Sequence, residues 1–157
     1  MNENPQVLIL VGSKSDVAEA EKASKILKNF GVPFELMVLS AHRAPEEVAK
    51  IVKEKTSSSV KVVIAGAGLA AHLAGAVASR TIRPVIGVPI AKTPLMGFDS
   101  LLSTVQMPAG IPVATVGIGA FENSALLAIE ILAINDPDLS KKLEEYRQKI
   151  KEEILQG

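Results

Sequence analysis

Residues 6–16 read QVLILVGSKSD: an apolar run, a glycine, two serines around a lysine, then an aspartate. Every residue from 7 to 11 is Val, Leu or Ile, so a strand formed there has no face for water. Such a run fits a parallel strand covered on both sides rather than a half-exposed one. Helical spacing follows over about 17–30 and stops at Gly31. The stretch therefore reads as one strand, one short polar loop and one helix.

The same alternation repeats along the chain. FELMVL (34–39) leads to a helix after Pro45, and VKVVIA (60–65) leads to LAAHLAGAVA (69–78). RPVIGVPI (83–90) precedes a longer loop and a helix near 98–106; IPVATVGI (111–118) precedes a helix over about 123–134. Five such units predict an α/β fold: a flavodoxin-like three-layer sandwich around a five-stranded parallel sheet of order 2-1-3-4-5. No linker, repeat or low-complexity segment interrupts residues 1–157, which are expected to form one domain. A C-terminal helical arm is expected over about 137–156. Leu139, Leu143, Tyr146, Ile150 and Ile154 make one apolar stripe on it, suited to its own domain or to a neighbouring subunit. The segment 69–78 is apolar all round and built of small residues, which predicts a helix covered by another copy of the chain.

Composition narrows the function classes. The chain has 157 residues, 48% of them hydrophobic and only 3% aromatic, so a full core must be built from aliphatic side chains. Seventeen basic residues balance seventeen acidic ones, and this zero net charge argues against a nucleic-acid partner. Without cysteine the protein has no disulfide and no thiolate chemistry, as suits a reducing cytoplasm. The first residues carry no basic n-region, and glycine breaks every apolar stretch before it could span a membrane. A cytoplasmic protein with no membrane partner is expected.

In open parallel sheets ligands sit beyond the carboxyl ends of the strands, where the strand order reverses. The loops walling that crevice read GSKSD, SAHRAP and AGAGLAAH, and both histidines of the chain lie in or beside them. GSKSD opens a helix, so its N–H groups can receive an anion, and Ser13 and Ser15 are suited to phosphate or ribose. Asp16 with Glu19 reads as an N-cap with its capping-box partner and equally as a ligand group. Lys14 is expected in solvent. In SAHRAP, Pro45 fits the first helical position, yet Ala44 cannot cap, which leaves first-turn donors for an anion that Arg43 would also hold. His42 can give and take a proton near neutrality. Gly66-x-Gly68-x-x-Ala71 fits the dinucleotide pattern in form only: it follows the third strand, and no acid occurs between Glu54 and Asp99. That acid-free span carries Lys55, Lys61, Arg80, Arg83 and Lys92, a basic wall for an anionic ligand or a charged subunit contact. No metal-ligand spacing and no serine–histidine–acid order is present, so the expected chemistry uses one imidazole, no cofactor and no metal.

Taken in order, GSKSD, SAHR, AGAGLAAHLAG, GVP, DSLLSTVQMPAGIPVATVGIG and NSALLAIEIL resemble the N5-carboxyaminoimidazole ribonucleotide mutase family, the PurE type, over about residues 7–155. The resemblance implies a homo-octamer acting on a small ribonucleotide in purine (IMP) biosynthesis. A carboxylate moves from the exocyclic nitrogen to ring carbon 4, with His42 as the acid and base. It also implies that Ser13, Asp16 and Arg43 bind the substrate, with Ser40 beside them, and that His72 packs near the site. The family often has AGGAAHLPG where this chain has Leu69 and Ala74, a change that would narrow the carbon dioxide pocket. Two alternatives stand beside this reading: a carboxylase of the same family that uses free carbon dioxide, and a non-catalytic flavodoxin-like nucleotide-binding module.

Overall fold

Strand β1 (Val7–Val11) is wholly buried, and its side chains alternate between two separate cores. Val7, Ile9 and Val11 join Leu27 and Phe121 on one face of the sheet; Leu8 and Leu10 join Val48, Val52 and Leu73 on the other. That split is the period-two geometry of a strand acting on an all-apolar sequence. The computed structural model describes residues 4–156, so residues 1–3 and 157 of the expected single domain lie outside the described residues.

Around β1 run α1 (Val17–Phe30), β2 (Phe34–Val38), α2 (Pro45–Ser57), β3 (Val62–Gly68), α3 (Leu73–Ala78) and β4 (Val85–Ile90). Then come α4 (Phe98–Val105), β5 (Ala114–Thr115), α5 (Phe121–Ala133) and α6 (Pro137–Gln156). The five strands are parallel in the order β2-β1-β3-β4-β5, with helices on both sides. Val11 lies level with Val38 and Gly66, so the loops after β1, β2 and β3 open side by side at one end of the sheet. Gly31, with φ +75°, ends α1 where expected and donates back to Leu27 and Lys28 carbonyls.

Three expectations need correction. The last strand shrinks from 111–118 to two paired residues, because this edge has no outer neighbour and Pro112 has no N–H to donate. Ile111 and Ile118 are consequently exposed. Helix α3 is only six residues long, since residues 70–72 form the approach to it. Its Leu73, Ala74, Val77 and Ala78 are buried by their own chain, so this helix no longer demands a cover from outside. The uncovered apolar side chains stand elsewhere, at Leu95, Met96, Phe98 and Leu102, on α4 and the loop before it.

The apolar stripe of α6 divides along its length. Leu139 and Leu143 are buried and Tyr146 meets Phe30 edge-on, with ring centroids 5.5 Å apart. Lys142 Nζ donates to the Phe30 carbonyl at 3.0 Å and so caps the end of α1. Beyond this point Ile150 and Ile154 are exposed.

Close packing fixes the glycine at the end of β3. A methyl group at Gly66 would lie 2.5 Å from Cζ and 3.0 Å from Cε1 of Phe121, a fully buried ring. Gly66→Ala should therefore destabilise the fold by about 1–3 kcal/mol, the usual cost of overpacking a core. Urea denaturation checks this: an unchanged midpoint would mean that the Phe121 ring yields freely.

Candidate active site

After β1 the chain turns through Gly12 and Ser13 into a single 3₁₀ turn (Lys14–Asp16) before α1. Ser13 is extended, with φ −151°, and its Oγ accepts from Ser15 N–H at 3.4 Å. The two serine hydroxyls are 3.1 Å apart. Lys14 projects into solvent, as expected. The capping box is not formed. Asp16 makes no side-chain cap, and Glu19 pairs with Lys22 at 2.7 Å, a contact that raises the lysine pKa. The reason lies with Asp16 itself, which is 2% exposed and turned against the Lys92 ammonium, so it faces the crevice instead of the helix N–H groups.

The SAHRAP turn is held by its own serine and arginine. Ser40 Oγ accepts from the Arg43 N–H and Nε, each at 3.3 Å, while Arg43 Nη2 donates to the Gly12 carbonyl at 3.1 Å. Arg43 thus ties the loop after β2 to the loop after β1. Pro45 is the first residue of α2 and Ala44 provides no cap, as the sequence indicated. Glu46 and Glu47 occupy the first turn, so the helix already has negative charge near its positive end.

His42 projects from this turn toward the loop after β3 and meets His72. Its Nε2 lies 2.5 Å from His72 Nδ1, and the rings stand edge-to-face at 81° with centroids 4.7 Å apart. A contact between two imidazole nitrogens needs one N–H and one lone pair, so a proton held there can move from one ring to the other. His72 thus lies in direct contact with His42. Leu69, in the same loop, has φ +60°, an uncommon conformation for a bulky residue, and its side chain is exposed beside the histidines.

Ser13, Asp16, Ser40, His42 and Arg43, the five residues singled out in the sequence, line one cleft of about 520 Å³ together with His72 and Lys92. Lys92 had appeared only as one member of a basic span. The structure separates that span: Lys55 pairs with Glu35 at 2.5 Å, Arg83 Nε donates to the Thr56 carbonyl at 3.4 Å, and Lys92 alone reaches the cleft. Its signal in the sequence was position: it follows the end of β4, whose neighbour β3 opens into the crevice. The resulting cleft brings together two imidazole rings in contact, an arginine, a lysine, a carboxylate and serine hydroxyls. Among the described residues no cluster of metal-ligating side chains occurs, and no helix is long and apolar enough to cross a membrane.

The chain matches the AIR carboxylase family over residues 6–153. It is 58% identical over 148 residues to the N5-carboxyaminoimidazole ribonucleotide mutase of Methanocaldococcus jannaschii, covering 94% of this chain and 92% of that protein. With the enzyme of the same name from Pyrococcus horikoshii it shares 50% identity over 153 residues, 98% of this chain and 86% of the relative. The crystal structure of Treponema denticola PurE superposes with a TM-score of 0.89 at 31% identity, covering 98% of this chain and 96% of that one.

Proposed function

Because the chain belongs to the AIR carboxylase family, we propose that it is an N5-carboxyaminoimidazole ribonucleotide mutase, an isomerase of purine biosynthesis. The observation that carries this reading is the contact of His42 with His72 at the mouth of a cleft that also presents Arg43, Ser13, Ser40 and Asp16. His42 gives a proton to the exocyclic nitrogen as the carbamate C–N bond breaks and carbon dioxide leaves. Ring carbon 4 then attacks the trapped carbon dioxide, forming the new C–C bond, and the now neutral His42 takes the proton from that carbon. His72, at 2.5 Å from His42 Nε2, orients the His42 ring and can receive the proton from it once carbon 4 has given it up. Holding both fragments in one cleft gives the recombination its effective concentration. Arg43 and the serine hydroxyls suit the phosphate, and Asp16 suits a ribose hydroxyl.

Assembly as a homo-octamer in the cytoplasm belongs to the same reading. What supports assembly is the exposed apolar surface on α4 and the outer end of α6, which a second copy would cover. The purified protein tests the reaction directly. Conversion should occur with the carbamate substrate alone, without ATP and without bicarbonate, and no phosphate should appear. Dependence on bicarbonate with unmodified aminoimidazole ribonucleotide would make the protein a carboxylase instead.

A further inference from the structure

We propose that Lys92 is a phosphate-binding residue of this cleft, released from Asp16 when the ligand's phosphate arrives. The proposal extends the ribonucleotide reading above and rests on it for the identity of the natural ligand. Lys92 follows β4, yet its ammonium reaches across to the loop after β1, where Nζ donates to Ser15 Oγ at 3.0 Å and pairs with Asp16. Gly68 opens the way: a methyl group there would lie 2.7 Å from Cδ and 2.9 Å from Cγ of Lys92. The lysine stem therefore passes over bare backbone at the end of β3.

The pairing it makes is incomplete. Asp16 is 2% exposed and its Oδ1, although beside the ammonium, has no hydrogen bond of acceptable geometry. Lys92 itself keeps a quarter of its side-chain surface open to the cleft. An ammonium has three donors, and here they are divided between a serine hydroxyl and a poorly aligned carboxylate. A phosphate resting between Ser13 and Ser15 would take a hydrogen bond from each hydroxyl and one from Lys92, with Arg43 held nearby on the Gly12 carbonyl. Asp16 would then be free to accept from the sugar. In this arrangement the lysine keeps a buried carboxylate balanced while the cleft is empty and transfers its charge to the incoming dianion.

Removing Lys92 alone would leave Asp16 buried and unpaired, which could unfold the protein for reasons unrelated to phosphate. The test therefore compares Asp16→Asn with Asp16→Asn/Lys92→Met, using inorganic phosphate as the probe in titration calorimetry and thermal midpoint as the control for folding. The double variant should bind phosphate on the order of tenfold or more weakly than the single one, as expected for losing a charge-assisted contact. Lys92→Arg in the same background should recover most of that loss. Equal phosphate affinity in the single and double variants would overturn the proposal, leaving Lys92 as a partner of Asp16 only. So would a lowered thermal midpoint with phosphate binding lost in the arginine variant as well, since Lys92 would then be a structural prop. In turnover assays Asp16→Asn/Lys92→Met should show a higher KM for the ribonucleotide than Asp16→Asn; a lower kcat at the same KM would also overturn it. Phosphate binding requires no turnover, so its outcome is separate from that of the mutase assay.

Discussion

His42→Asn should lower turnover by at least about 10²–10⁴-fold, the range that general acid–base groups contribute. Asparagine has comparable size and a hydrogen-bonding end, and His42 is exposed to the cleft and outside both cores, so folding should survive. It cannot exchange a proton near neutral pH. One residue is asked to serve two steps, first as acid at nitrogen and then as base at carbon, so both steps lose their agent together. Nucleotide affinity should stay within about tenfold, because the anion contacts are made by other side chains. His72→Asn should cost much less, since His72 contacts His42 while His42 alone exchanges the proton with substrate. Steady-state kinetics with a separate binding titration checks the pair. Ordinary turnover in His42→Asn would sink the mechanism.

Arg43→Ala should act on the other side of that division, weakening ribonucleotide binding by about 2–5 kcal/mol, roughly 30- to 4,000-fold. The magnitude supposes that the guanidinium becomes desolvated under the ligand. In the free cleft it already contacts Ser40 Oγ and the Gly12 carbonyl, so it is held in position before a phosphate arrives. Preorganisation of this kind adds to affinity by reducing the ordering cost of binding. Isothermal titration of the ribonucleotide decides the matter. An unchanged dissociation constant would show that Arg43 only pins two loops together.

The parts of this architecture that local chemistry controls could be read from the chain. Apolar runs such as 7–11 and 62–65 marked the buried strands, Gly31 marked the end of α1, and the loops after β1 and β2 held all five proposed site residues. Misreadings arose where the partner the spacing suggested was not the one the fold supplied. Asp16 and Glu19 have capping-box spacing, but Lys92, seventy-six residues beyond Asp16 in the chain, takes the aspartate and Lys22 takes the glutamate. His72 could be placed near the site by family likeness, yet its contact with His42 depends on how the loops after β2 and β3 converge. The run 111–118 has the apolar character of a strand throughout, but at the sheet's edge only Ala114 and Thr115 form ladder pairs, with Val116 adding one further bond to the Gly87 carbonyl. Residue type announces a tendency to pair; position in the sheet decides whether a partner is there.

The parallel strand order also governs how the cleft comes into being. Val7 lies beside Phe34 on one flank and Val62 on the other, so no neighbouring strands can be joined by a tight hairpin. Each pairing must first close a long crossover, and such non-local topologies fold slowly compared with helical bundles. During synthesis the serines, Asp16, His42 and Arg43 emerge early, well before His72 and finally Lys92. Until β4 is added, the carboxylate of Asp16 has no ammonium to face and the crevice has only part of its wall. Fragments ending before the fourth strand lack Lys92 and part of the cleft wall and should therefore be inactive.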